Sequence, residues 1–336
     1  MEKPRQINKF ILRKKSYSFN LNVVGNLMRR NIILDCDPGH DDAVAILLAG
    51  NNPKLNLLGI SVVAGNQTIE KTAKNALNLA SFLKIDVPVA VGCEFPMVRD
   101  RVICAEVHGE SGLDGFTFPK PDRDFDKRHG VQLIIDTVMN NEDVTIVATG
   151  PLTNVAMAIK MEPKLVNRVK EIVLMGGSVD NGNTSPAAEF NIMCDPEAAH
   201  VVFTCGIPVK MIGLNVTRKV LVTDEVVNRM AKINNKASDM FVKLMKVFND
   251  NQRKTFGVKA GPLHDPATIA SLIEEDVVKY QKMNVVIDIS HGPSYGRTNC
   301  DVFDYLHAPK NAYVAMDIDV DKYWDIIEKA ISSFSK

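Results

Sequence analysis

The chain has 336 residues, 46% of them hydrophobic, and its 40 basic and 40 acidic side chains cancel to a formal net charge of zero. That length suits one large α/β domain or two smaller ones, and a balanced charge with a pI near 7 leaves no electrostatic footprint for nucleic acid or an anionic membrane. Cys36, Cys93, Cys104, Cys194, Cys205 and Cys300 are scattered without a C-x-x-C pair, as free thiols in a reducing cytoplasm would be, and no apolar run reaches membrane-spanning length.

Residues 1–27 are basic (Lys3, Arg5, Lys9, Arg13, Lys14 and Lys15 against the single acid Glu2) and poor in hydrophobic periodicity. They lack the apolar core and small-residue cleavage site of a secretory signal. We read them as a disordered or appended leader ahead of one domain over 28–336. From Asn31 onward, β-branched runs alternate with helix-period segments. Strands are predicted at Ile32–Leu34, Leu57–Ala64, Val87–Val91, Val144–Ala148, Glu171–Leu174 and Val209–Leu214. Helices are predicted at Asp41–Ala49, Thr68–Leu83, Val131–Met139, Leu152–Met161 and Glu197–Thr204. The last third is less regular: helices over Glu225–Ile233, Ala237–Phe248 and from Pro266, strands at Val285–Ile289 and Tyr313–Ile318, and a terminal helix Lys322–Ser333. Such alternation predicts an α/β fold, a mostly parallel open sheet with helices on both faces. No Pro-, Gly- or Ser-rich linker divides it.

Ligands of open α/β sheets bind beyond the carboxyl ends of the strands, and the polar motifs fall there. Asp35-Cys36-Asp37-Pro38-Gly39-His40-Asp41-Asp42 follows the first strand and places four carboxylates within eight residues. Two carboxylates about 4 Å apart repel by roughly 4 kcal/mol at an effective dielectric near 20. A helix N-terminus offers only about half a positive charge against that. A divalent cation answers the problem better, and oxygen donors without Cys or His at ligand spacing favour calcium or magnesium over zinc. A solvated, Asp-capped corner is the plain alternative. Asp37 and Asp42 can approach one ion, leaving Asp35 and Asp41 to orient neighbours or hold substrate hydroxyls. There is no P-loop and no G-x-G-x-x-G after a strand.

Asn66, Thr149, Met175 and Asn215 mark four further strand ends. His264-Asp265-Pro266 has the grammar of a helix start, with Asp265 as N-cap; the need for another oxygen ligand raises Asp265 above that reading. Asp195-Pro196-Glu197 has the same grammar and reads as a cap alone. Asn183 with Glu189 and Asn191, alternating on one edge, would offer donors and acceptors to a polyol. The segment from His108 to Gly115 reads as a mobile glycine-rich loop able to carry a lid histidine. Asn249–Leu263, with Gln252 and Phe256, reads as a segment folded over the site.

Together the aspartate run, Gly65-Asn66-Gln67-Thr68, His108-Gly109-Glu110-Ser111-Gly112, Leu174-Met175-Gly176-Gly177, Ala188-Glu189-Phe190-Asn191 and His264-Asp265-Pro266 resemble the calcium-dependent nucleoside hydrolases of the inosine-uridine preferring type. Gly292-Pro293-Ser294-Tyr295-Gly296-Arg297-Thr298 looks closest to their bacterial pyrimidine-leaning branch. The resemblance runs from about Asn31 to the terminal helix. It implies one Ca²⁺ per chain, held by Asp37, Asp42, Asp265 and the Thr149 carbonyl, with a bound water giving its proton to Asp37. It implies that Asp41, Asn66, Asn191 and Asp265 hold the ribose 2′- and 3′-hydroxyls, that Glu189 and Asn183 hold the 5′-hydroxyl, and that Met175 and Phe190 lie near the ring. Gln252 and Phe256 would face the base, with Asp35 behind the ligands. His264, and secondarily His108, would protonate the departing base. The implied reaction is hydrolysis of a ribonucleoside to base and ribose by a cytoplasmic homo-oligomer, a tetramer before a dimer, with no membrane or nucleic-acid partner. Two other readings stay open: an aspartyl phosphatase of the haloacid-dehalogenase type, suggested by Asp35-x-Asp37 although Gly39 replaces the Thr or Val expected there, and a non-catalytic nucleoside-binding protein.

Overall fold

A computed structural model describes residues 29–334, so the expected leader over 1–27 lies outside the described residues. Ten strands are present in chain order: β1 Arg30–Cys36, β2 Leu55–Val62, β3 Val89–Val91, β4 Val144–Ala148, β5 Val169–Met175, β6 Val209–Ile212, β7 Val278–Met283, β8 Val285–Ile287, β9 Thr298–Cys300 and β10 Ala312–Ile318. Eight of them form one sheet in the order β3-β2-β1-β4-β5-β6-β10-β7. All neighbours in it are parallel except β10 and β7. β8 and β9 pair as a separate antiparallel ribbon.

Each central strand divides its side chains between two apolar layers with the two-residue period of a pleated strand. On β1, Ile32, Leu34 and Cys36 enter the layer that holds the helix His40–Asn51, whereas Ile33 enters the opposite layer with Ile146, Ile172 and Leu174. The His40–Asn51 helix is buried from His40 to Ala49, so it is a core helix rather than an amphipathic one. Strand order reverses between β1 and β4, the switch point at which an open α/β sheet leaves a crevice. Asp37 follows β1 there and Thr149 follows β4.

Three expectations change. Gly213 ends β6, and a short helix Leu214–Thr217 follows it. Strand β7 was not read from the sequence: its Lys279, Gln281 and Lys282 are polar because it is the antiparallel edge of the sheet. The helix expected over Ala237–Phe248 runs from Lys236 to Phe256 and stops at Gly257, which is left-handed at φ +70°. Its polar last turns look like a loop in sequence, yet Met245, Phe248, Asn249 and Gln252 keep a buried stripe at helical spacing. Asn249 donates to the Val222 carbonyl (2.8 Å) and accepts from the Gly261 amide (2.9 Å).

Candidate active site

A cavity of about 650 Å³ opens over the carboxyl ends of β1, β4 and β5, lined by Asp41, Asn66, His108, Thr149, Met175, Asn183, Glu189, Phe190, Asn191, Gln252, Phe256, His264 and Asp265. Of the expected site residues, Asp35, Asp37 and Asp42 lie behind this wall, each fully buried.

The carboxylates form the floor. Asp42, in the first turn of its helix, accepts from the Gly39 amide (3.0 Å), from Asn66 Nδ2 (3.1 Å) and from the Thr149 hydroxyl (2.7 Å). Asp37 accepts from the Asn66 amide through Oδ2 (2.7 Å), while its Oδ1 is buried without a partner, as is Oδ1 of Asp41. Asp265 precedes the helix Pro266–Ile273 but makes no capping bond, and turns instead toward the aspartates. One oxygen each from Asp41, Asp42 and Asp265 lies within 4.8 Å of the others, a group able to hold a metal ion. Thus Asp42 and Asp265 meet as expected, with Asp41 rather than Asp37 completing the tightest set. Asp195, by contrast, caps its helix through the Ala198 amide (3.0 Å). Asp35 accepts from Ser61 and from Asn154 (2.8 Å) and leaves Oδ2 unpartnered.

Burial pushes every one of these carboxyls up: Asp35 and Asp41 to about 7, Asp37 and Asp265 well above the usual range, and Asp42 in the same direction. The charge of Asp42 adds to the rise at Asp37 and Asp41, and those of Asp41, Asp42 and Asp37 to the rise at Asp265. Carboxyls so crowded and so dry ionise together only around a counter-charge, which is the condition a hard divalent cation meets. Unpartnered buried oxygens on Asp37 and Asp41 fit the same group.

The polyol wall is built differently from the expected alternating edge. Glu189 caps the helix Phe190–Cys194, accepting from the Asn191 and Ile192 amides (2.9 and 3.2 Å) and from the Gly177 amide (2.9 Å), and burial lifts it to about 7. Asn191 therefore sits on a helical turn, where Nδ2 donates to the Thr149 and Met175 carbonyls (2.8 and 3.0 Å) and ties β4 to β5. Asn183 accepts from the Phe190 amide (2.9 Å).

His264 and His108 both line the cavity, and both are neutral because burial pushes His264 down to about 3 and His108 well below its usual value. His264 Nδ1 lies 2.6 Å from the Thr217 hydroxyl. His108 ends a short helix, Ala105–His108, and is buried against Phe248 and His40. The loop behind it is stapled rather than free: Gln67 donates to the Gly109 and Glu110 carbonyls, and Asn75 to those of Pro38 and Ser111. In this structure the loop expected to carry a lid histidine is held through these bonds to Gln67 and Asn75, with His108 lining the cavity. Sequence reasoning missed His40, Cys104, Glu106, Arg218, Leu221 and Phe248. The last five line the cavity; their proximity to His108, Asn215 and Gln252 in the chain was the available signal. The Gly292–Thr298 segment is not among the cavity-lining residues; Tyr295 there donates to Glu197.

A helix-flanked parallel sheet with clustered buried carboxylates, and a cavity carrying polar side chains at its switch point, defines a site able to hold a metal ion beside a small hydroxyl-bearing ligand. Residues 32–325 match the inosine-uridine preferring nucleoside hydrolase family, and the chain belongs to that family. It is 45% identical over 309 residues to the pyrimidine-specific ribonucleoside hydrolase RihB of Shigella sonnei, covering 92% of this chain and 99% of the relative, and 44% identical to that of Escherichia coli over the same span. Among solved structures, a purine-preferring ribonucleoside hydrolase from Gardnerella vaginalis superposes with a TM-score of 0.84 at 32% identity, covering 90% of this chain and 98% of that one. A plant nucleoside hydrolase, the PpNRh1 enzyme, gives 0.84 at 30% identity over 91% and 99%. The chain is an enzyme that hydrolyses ribonucleosides to base and ribose, which sets aside the phosphatase and the non-catalytic binder. Among the described residues no helix is long and apolar enough to cross a membrane.

Proposed function

We propose that the enzyme cleaves the N-glycosidic bond of pyrimidine ribonucleosides, uridine and cytidine before inosine, with adenosine poorest, in a calcium-dependent reaction. The observation that carries the reading is the buried carboxylate floor with unpartnered oxygens beneath a cavity of nucleoside size. The name of the 45% identical relative supports the pyrimidine preference. Asp37, Asp42, Asp265 and the Thr149 carbonyl would hold the ion. When bound, calcium supplies the counter-charge that lets these carboxyls ionise together and acidifies water beside it. Asp37 Oδ1, free of partners, takes the proton of the attacking water. Asp41 Oδ1, also free, receives a ribose hydroxyl beside Asn66, Asn191 and Asp265. Glu189 and Asn183 stand where the 5′-end would lie, with Met175 and Phe190 near the ring.

Glycosidic cleavage passes through an oxocarbenium-like state, and fixed carboxylates under the sugar stabilise that charge as it develops. The leaving pyrimidine carries charge onto its ring carbonyl oxygen. His264 and His108, neutral and desolvated, each offer that oxygen one N–H, with Gln252 and Phe256 completing the base wall. Phe303, Tyr305 and Leu306, 75%, 78% and 68% exposed, support a homo-oligomer, a tetramer before a dimer, and the six unpaired thiols suit a cytoplasmic enzyme. The test is ribose release from uridine, cytidine, inosine, adenosine and 2′-deoxyuridine, with and without a calcium chelator. Equal turnover of purines and pyrimidines, or full activity after exhaustive chelation, would overturn the proposal.

A further inference from the structure

Building on the reading that the base lies between His264 and His108, we propose that His40 is a positioning residue that fixes the proton and ring plane of His108, so that His108 presents Nε2–H to the departing base. The backbone amide of His40 donates to His108 Nδ1 (3.2 Å). A neutral imidazole carries one proton, so this bond places it on Nε2, and His108 but not His40 lines the cavity. The His40 ring is itself oriented. Its Nε2 lies 2.9 Å from the Asp114 carbonyl, which only accepts, so His40 is protonated on Nε2 and bare on Nδ1. The 3.5 Å approach of the two Nδ1 atoms is then a contact between two unprotonated nitrogens, made tolerable by stacking of the rings at 24° with centroids 5.6 Å apart. Phe248 packs on both rings at 5.7 and 6.3 Å.

The same turn has no room for another arrangement. A Cβ on Gly39 would meet His108 Nδ1 at 2.4 Å, so glycine is what lets the ring lie against the backbone. Asp114 closes the far end, accepting through its side chain from the Glu110 and Ser111 amides (3.0 and 3.1 Å). His40 thereby bridges the aspartate run to the His108 loop without touching the cavity. The partner that one ring nitrogen bonds decides which state the other presents to a substrate.

The test compares kcat and KM on uridine with those on p-nitrophenyl riboside, whose leaving group needs no proton, in the calcium-loaded enzyme and in His40→Phe, His40→Gln and His108→Ala. Phe keeps the stack and removes the bond to Asp114; Gln can restore a donor near the Nε2 position. A neutral imidazole cannot give up its one proton without becoming an imidazolate. His108 therefore acts as a fixed hydrogen-bond donor to the charge developing on the departing base, a contribution typically worth about 10²–10³-fold; the base then takes its proton from water. His40→Phe keeps the backbone amide that sets the His108 proton and frees only the ring from Asp114. We therefore expect His108 to stay in the Nε2–H form there, while its loosened ring plane lowers the uridine-to-p-nitrophenyl-riboside kcat ratio by about tenfold with little change in KM, and His40→Gln to recover part of it. Long-range ¹H–¹⁵N spectra of the wild-type protein should show His108 as the Nε2–H form. An unchanged ratio in His40→Phe, or a wild-type His108 protonated on Nδ1, overturns the inference; the second readout needs no foldable variant. An unchanged ratio in His108→Ala instead overturns the placement of the base, and the spectra still decide the tautomer.

Discussion

Stripping the metal site should make the stability of this enzyme depend on pH in a way that calcium abolishes. Burial holds Asp41 at about 7 in the ion-free fold, against 3.8 for a free aspartate. Ionising it there costs about 4 kcal/mol more than in the unfolded chain, and Asp37, Asp42 and Asp265 are displaced in the same direction. Between pH 3.8 and about 7 the folded state holds protons on these groups that the unfolded state has lost. Their contribution to stability therefore falls as pH rises through that window. Buried neutral histidines act oppositely, His40 at about 4 and His264 at about 3, because the unfolded chain charges first as pH falls. Those terms are common to loaded and stripped protein, so the readout is the difference in Tm between the two at fixed excess calcium, measured by scanning fluorimetry from pH 5 to 8.5. The gap should widen as pH rises from 5 to about 7. One carboxyl of this kind corresponds to roughly 5–10 °C for a domain of this size. A gap that does not change with pH, or no gap at all, would refute the claim that these carboxyls need a counter-charge.

Asp37→Asn should abolish ribose release while leaving the stripped protein at least as heat-stable as the parent, since a neutral amide replaces a carboxyl whose ionisation the ion-free fold resists; a large loss of Tm without recovery of activity would contradict this. Uridine should be preferred over 2′-deoxyuridine by at least about 10³-fold, because a buried polar site rejects an analogue that leaves its groups unpaired; comparable kcat/KM for the two would remove Asp41 from the sugar. Asn154→Ala should lower stability by about 1–3 kcal/mol in a denaturant titration, since Asn154 is buried and serves Asp35, the Val62 carbonyl and the Cys93 amide together; a change within error would show that these partners find others.

The central sheet was legible because burial on both faces leaves strands as unbroken β-branched runs. Val144–Ala148 is found with the bounds expected of it, and the other parallel strands shift by a few residues at their ends. What failed was local pattern at the periphery. β7 carries three polar side chains because one of its edges faces solvent, and the Lys236–Phe256 helix ends on a polar stretch buried through partners outside the helix, the Val222 carbonyl before it and the Gly261 amide after it. Neither interaction leaves a periodic trace in its own segment.

At the site, residue type was legible and conformation was not. Four carboxylates in eight residues signalled a site able to hold a cation because such crowding opposes ionisation without a counter-charge, whatever the backbone does. Asp265 and Asp195 stand in the same Asp-Pro setting, yet one makes no capping bond and joins the cluster while the other caps. The difference lies in what each helix start faces: Asp265 meets Asp41 and Asp42 in space, and no rule of sequence grammar carries that information. His40 shows the converse. It stands inside the most informative run of the chain and was assigned no partner, because its role depends on a residue 68 positions away. A histidine between Gly39 and the two aspartates is placed to meet the loop packed above it, and a fully buried side chain that does not line the cavity links the carboxylate floor to the wall that carries His108.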